Sequence, residues 1–165
     1  MSDKHTIPEG FTLKMAVMDA LPVLFFTIGI SLIALNFRSL IFFIGSFLII
    51  TAGLLKVLWK FIIAVGKKNI YLLNKQLRYL MPTGFLLVII SLFIYPDKSE
   101  YDQIIPAILK MPQLLCFIIT FIGMIMMSIF AKVLDKNDAK ANWIEQITNL
   151  IAQASFMLGI IFIYK

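Results

Sequence analysis

Residue types that most enzymes and metal proteins require are scarce in this chain of 165 residues. It holds one histidine, His5, and one cysteine, Cys116. A histidine-based zinc site, haem held by histidines within the apolar segments and an intrachain disulfide are thereby excluded. The sequence also lacks a glycine-rich phosphate loop, a G-x-S-x-G nucleophile motif and an H-E-x-x-H zinc motif. We therefore expect no cofactor and no metal site, and we favour a non-enzymatic function.

Charge is scarce as well. Charged residues make up 15% of the chain and hydrophobic residues 61%, whereas soluble domains have about 25% and about 45–50%. A chain of 18.8 kDa cannot bury that much apolar surface within itself, because small folds leave much of their surface exposed. The composition therefore predicts an integral membrane protein. The net charge of +6 does not indicate nucleic acid, since the cations flank apolar segments.

Five stretches without any charge predict five membrane-spanning helices. Each has 17 to 21 residues; they are 20–37, 39–55, 79–96, 111–131 and 146–164. About 20 apolar residues in a helix cross a hydrocarbon core about 30 Å thick, and open strands cannot satisfy their backbone groups there. We predict an all-α fold with residues 1–165 as a single transmembrane domain. Its spans lie at about 16–36, 39–65, 79–96, 111–133 and 143–164.

The distribution of cations predicts the orientation. With the N-terminus in the cytosol, 11 of the 15 lysines and arginines lie on the cytosolic side, as the positive-inside rule requires. The predicted protein is a multi-pass protein of the cell (plasma) membrane with its C-terminus outside. Segment 67–80 carries Ile70, Leu73 and Leu77 at helical spacing among basic residues. It is interpreted as a basic amphipathic helix at the inner leaflet or a cytosolic extension of the third span, with a docking surface for a soluble partner as the functional alternative.

A short repeat suggests how the spans are grouped. Lys56-Val57-Leu58-Trp59-Lys60 and Lys132-Val133-Leu134-Asp135-Lys136 both read K-V-L-x-K at a predicted cytosolic helix end. Pro22 and Pro82 lie near the cytosolic entries of spans one and three. This pattern indicates two hairpins of the same orientation plus a fifth helix, a 2+2+1 arrangement. Basic inner flanks required by orientation alone would give the same match.

Polar residues inside the spans are the candidate functional residues. Span two carries Gly45, Ala52, Gly53, Lys56 and Lys60 within an arc of about 100°. Span five carries a polar face, and if the two spans pack antiparallel, Lys60 meets Glu145 and Lys56 meets Asn149. Asp19 is a second predicted partner for either lysine. The proposed pathway residues are Asp19, Lys56, Lys60, Glu145, Asn149 and Gln153, with Arg78 and Thr148 in second rank.

Three functions are consistent with these residues. The first is a transporter or channel-type unit or subunit, in which the carboxylates bind a cation or proton and the lysines an anionic group. The second is a scaffold or accessory subunit, in which the same side chains join helices. The third is a lipid-modifying enzyme with Glu145 or Asp19 as general base, which no visible nucleophile–base pair supports. The expected partners are the lipid bilayer and either further copies of the chain or another membrane subunit; nucleic acid is not expected.

Overall fold

The computed structural model describes residues 12–66, 68–94, 104–134 and 139–165, and helices form nearly all of them. No β-strand occurs among these residues. A short helical stretch over 104–108 precedes the fourth long helix. The labelled helices, in chain order, are α1 (Leu13–Asn36), α2 (Leu40–Gly66), α3 (Tyr71–Lys75), α4 (Leu77–Ile94), α5 (Gln113–Val133) and α6 (Ala139–Tyr164).

Five helices in the described ranges are long and apolar enough to cross a membrane. These are α1, α2, the nearly continuous pair α3–α4, α5 and α6, so the expected all-helical class with five candidate spans is confirmed. The third of them begins at Tyr71 rather than at residue 79. The helical segment extends beyond the charge-free stretch because the lysine and arginine that bound this stretch are good helix formers and do not end the helix.

The turn between α1 and α2 brings these two helices side by side. Ile33 accepts a backbone hydrogen bond from Phe37 over 2.8 Å, and the Ser39 hydroxyl accepts one from the Phe42 amide over 3.3 Å. Arg38 between them has φ 44°, a left-handed conformation that allows the chain to reverse within three residues. The two helices are therefore an antiparallel hairpin.

The helices pack in the lateral order α4, α2, α1, α6, α5. Within the described ranges, α4 and α5 do not contact each other, and α2 does not contact α6. The third and fourth spans thus lie at opposite ends of an open row, and the second hairpin of the 2+2+1 arrangement is not seen there. Sequence periodicity indicated a protein-facing side for spans two and five but not the neighbour that covers it.

Small residues set the closest approaches in the row. A Cβ placed on Gly45 of α2 would lie 2.8 Å from the Gly84 carbonyl oxygen of α4, and one on Gly84 would lie 2.7 Å from the Gly45 oxygen. A Cβ on Gly53 would lie 3.0 Å from Val23 of α1. The predicted small-residue face of α2 therefore serves two neighbours, since Gly45 faces α4 and Gly53 faces α1.

The apolar core lies towards the α1–α2 turn. It consists of Ile30, Phe37, Phe42 and Ile49, all nearly inaccessible to solvent. Phe26 extends it towards α6, where its ring stacks on Phe156 with centroids 5.6 Å apart. Because apolar side chains fill this end, the buried charges described below are confined to the opposite end of the row.

Candidate functional site

An ion pair joins α1 and α2 at the end of the row remote from their turn. The Lys60 Nζ lies 2.7 Å from Asp19 Oδ1. Asp19 is six residues from the start of α1 and Lys60 is six residues from the end of α2. Each therefore lies about 9 Å inside its helix, and antiparallel packing brings the two to the same level. This is the second of the two pairings predicted for Lys60.

Both members of the pair are buried, and one oxygen of the carboxylate is left over. Asp19 is 4% exposed and Lys60 is 7% exposed. Asp19 Oδ2 is buried and has no hydrogen-bond partner among the residues that the structure describes. A buried charged oxygen without a donor is costly, because desolvation is not offset by a new hydrogen bond. Within the described residues, this oxygen is therefore an acceptor for a further donor or cation.

Two further charged side chains act on the same ammonium. Lys56 and Glu145 both lie within electrostatic range of Lys60. Glu145 is on α6, which runs parallel to α1. A Cβ on Gly29 of α1 would lie 2.7 Å from the Phe156 ring of α6. Gly29 is ten residues after Asp19 and Phe156 is eleven residues after Glu145, so Asp19 and Glu145 lie at a similar level. Three helices therefore contribute to a charged cluster, which we define as Asp19, Lys56, Lys60 and Glu145.

The condition for pairing Lys60 with Glu145 and Lys56 with Asn149, direct packing of spans two and five, is not met in the described ranges, since α1 lies between α2 and α6. Asn149 does not pair with Lys56; its side-chain oxygen accepts a hydrogen bond of 3.5 Å from the Gln153 amide one turn further along α6. Both amides are half-buried. The position of each charged residue along its span indicated that the charges lie at one level, but it could not indicate which helices are adjacent.

The two second-rank residues lie away from the charged cluster. The Thr148 backbone oxygen would be 3.8 Å from a Cβ on Gly123, which places Thr148 beside α5. Arg78 is exposed on α4, and α4 contacts neither α1 nor α6 in the described ranges. We therefore remove both from the candidate site.

Some buried polar residues were not identified from the sequence. Gln146 is 7% exposed, and its Oε1 has no hydrogen-bond partner among the described residues. Its spacing of seven residues from Gln153, two helical turns, was the signal that could have revealed it. Thr120 of α5 donates to the Cys116 oxygen over 2.9 Å and lies 3.2 Å from the Ala152 oxygen of α6. A threonine within an otherwise apolar helix marks such an interhelical contact.

The segment after α2 is fixed against that helix by two side chains. Trp59 Nε1 donates to Asn69 Oδ1 over 3.0 Å. The Gln76 amide donates to the Ala52 oxygen over 3.3 Å and to the Leu73 oxygen over 2.9 Å. Trp59 is buried, and its bond to Asn69 fixes the chain reversal after α2. The segment is consequently an extension of the third span that runs back along α2.

Within the described ranges, no three histidine, cysteine, aspartate or glutamate side chains are grouped so that they could hold a metal ion. Cys116 is a free, half-buried thiol beside Gly159. Comparison with known proteins gives no protein-family model, no curated protein and no solved structure that matches this chain. The function is therefore argued from the charged cluster itself.

Proposed function

We propose that the chain is a multi-pass protein of the cell membrane with its N-terminus in the cytosol and its C-terminus outside. Five apolar helices of sufficient length support insertion. The orientation is supported by the 11 of 15 cations that it assigns to the cytosolic side. In this orientation the charged cluster lies just beneath the cytosolic headgroups, where intramembrane charges cost least.

The function that the geometry supports best is transport, by a small channel- or transporter-type unit or a subunit of one. The observation that carries this proposal is the Asp19 carboxylate, which is 4% exposed. It is bound to Lys60 through one oxygen, and its other oxygen has no partner in the described part of the chain. Ionisable residues within spans are expensive and commonly mark ion or substrate pathways. Asn149 and Gln153 continue the polar face deeper along α6, which snorkelling of lysines to the interface does not explain.

The ligand at this site would be a proton or a small cation. Asp19 Oδ2 is an acceptor with no donor in the described ranges, so a proton or cation could bind there. The bound charge would neutralise the carboxylate and weaken its bond to Lys60. Lys60 is already within range of Glu145 and could turn towards that carboxylate. Each carboxylate would then have a positive partner, the ligand at Asp19 and Lys60 at Glu145, and the cluster would gain the charge of the ligand. We propose this exchange of the Lys60 ammonium as the binding step.

An open row of five helices does not surround a channel by itself. We propose that the pathway is completed by a second copy or by another membrane subunit against the face that holds α1 and α6. Helix termini and the charged cluster would then meet at the subunit boundary. This is the role that the chain would have as a subunit.

Flux into vesicles tests the proposal. The purified chain is reconstituted into liposomes that contain a pH-sensitive dye, and proton movement is followed under imposed sodium, potassium or proton gradients. We expect flux with the wild type that is lost with Asp19→Asn and with Lys60→Gln. Lys110→Gln is the matched control, because it removes one lysine that is exposed and lies beside α5. Flux that survives both cluster variants would contradict the proposal.

The second candidate is a scaffold or accessory subunit without a pathway of its own. One observation favours it: polar side chains on α5 and α6 are engaged within the chain, as in the Gln153–Asn149 and Thr120–Ala152 contacts. Polar contacts of this kind join helices in membranes. For a scaffold, no gradient produces flux, and the Asp19 and Lys60 variants change only yield or co-purification of a partner.

A further inference from the structure

The surface formed by Lys68, α3 and the start of α4 is strongly and uniformly positive. Lys68, Lys75 and Arg78 are exposed. The chain has no acidic residue between Asp19 and Asp97, so no nearby acid in the sequence neutralises these cations. In the described ranges, none of the three cations forms a hydrogen bond or ion pair. We define this set of three as the basic corner.

Two hydrogen bonds to α2 fix the segment that carries the basic corner. The Trp59–Asn69 bond of 3.0 Å fixes the residue after Lys68. The Gln76–Ala52 bond of 3.3 Å fixes the residue after Lys75. Because both acceptor and donor on α2 belong to a long helix, the cations keep their spacing without a ligand. Binding an anion there costs less ordering of the chain than binding to a flexible tail.

Large apolar side chains stand beside these cations. Leu72 is 72% exposed and Tyr79 is 64% exposed. Residues three and four apart are neighbours on a helix, so Lys75 lies next to Tyr71 and Leu72 on one side and next to Arg78 and Tyr79 on the other. A soluble anion would use the cations alone, whereas a phospholipid would also cover the apolar neighbours.

We infer that the basic corner is a binding site for the phosphate headgroup of an anionic membrane lipid, whose chains lie against Leu72 and Tyr79. The inference rests on membrane insertion but is independent of transport. Tyrosine and cationic side chains together are typical of the headgroup level of a bilayer. Anionic headgroups attract each nearby lysine or arginine, and removal of one such cation weakens binding about five-fold, which corresponds to about 1 kcal/mol.

Quenching of Trp59 fluorescence measures this binding directly. The full chain carries two tryptophans, so Trp143→Phe leaves Trp59 as the only reporter, and Trp59 is bonded to the segment in question. The protein is purified in detergent, and phosphatidylglycerol or phosphatidylcholine with chains brominated near the headgroup is added. We expect phosphatidylglycerol to quench at a concentration at least five-fold lower than phosphatidylcholine.

The variant Lys68→Gln/Lys75→Gln/Arg78→Gln should reduce this preference to about one. The matched control Arg38→Gln/Lys110→Gln/Lys165→Gln removes the same charge from residues outside the basic corner and should keep the preference. If the first variant does not fold, Lys68→Gln and Lys75→Gln alone should each lose part of it.

Three results would overturn the inference. The first is equal quenching of the wild type by both lipids, and the second is an unchanged preference in the basic-corner variants. The third is thermal stabilisation by inorganic phosphate equal to that by phosphatidylglycerol, which would assign the cations to a soluble anion. None of these measurements uses flux, so they test lipid binding even if the chain transports nothing.

Discussion

Neutralising both members of the buried ion pair should destabilise the protein no more than neutralising either one alone. In Asp19→Asn, Lys60 remains 7% exposed without its 2.7 Å partner. In Lys60→Met, the Asp19 carboxylate loses the one cation bonded to it within the described ranges. Removal of one partner from a buried pair costs about 3–5 kcal/mol. We expect about 3 kcal/mol for each variant, at the lower end of that range, because Glu145 or Lys56 can partly replace the lost partner.

The double variant Asp19→Asn/Lys60→Met separates the pair from its surroundings. It leaves no uncompensated charge at this position, so we expect it to cost about 3 kcal/mol rather than the sum of about 6, a coupling energy of about 3 kcal/mol. The measurement is reversible unfolding of the purified protein in mixed micelles by a denaturing detergent, followed by circular dichroism. Additive effects of the two changes, or single variants within about 0.5 kcal/mol of the wild type, would refute the buried ion pair.

Two further predictions concern the packing of the row. Gly45→Ala should lower the free energy of unfolding by about 1–3 kcal/mol, because its Cβ would lie 2.8 Å from the Gly84 backbone oxygen. Gly66→Ala is the control, since a Cβ there would have no described atom within 4 Å. An equal effect of both variants on unfolding in detergent would contradict the close approach. Thr120→Val should lower the free energy of unfolding by about 0.6 kcal/mol, since it removes a hydroxyl 3.2 Å from an α6 carbonyl. Ser128→Ala loses only a bond within its own helix and should be nearly neutral; the reverse ranking would argue against the α5–α6 contact.

The number and type of helices were predictable because membrane-length apolar stretches admit few other structures. Charges bounded four of the spans within a few residues. The charge-free stretch gave only the apolar part of the third span, from residue 79, and of the two interpretations of segment 67–80 the structure agrees with an extension of that span, because the helical segment begins at Tyr71 and includes Lys75 and Arg78. Charged residues limit the part of a helix that lies in the hydrocarbon core, but they do not limit the length of the helix.

The order of packing could not be predicted from periodicity. A helical face indicates which residues are buried, but Gly45 and Gly53 on one face turned out to contact different helices. The Asp19–Lys60 pair was foreseen as an alternative because both residues lie at the same depth. Its dominance over Lys60–Glu145 follows from α1 lying between α2 and α6, and this depends on the shapes of all five helices together.

Access to position 19 from the cytosol tests the transport proposal most directly. Asp19→Cys is made in a Cys116→Ala background and treated with a membrane-impermeant thiol reagent in vesicles of either orientation, with Ala52→Cys, itself fully buried, as the control. A pathway predicts that Cys at position 19 reacts from the cytosolic side alone, and that the control remains unmodified. If position 19 is as unreactive as position 52 from both sides, the charged cluster is a structural contact between helices and the transport proposal is contradicted.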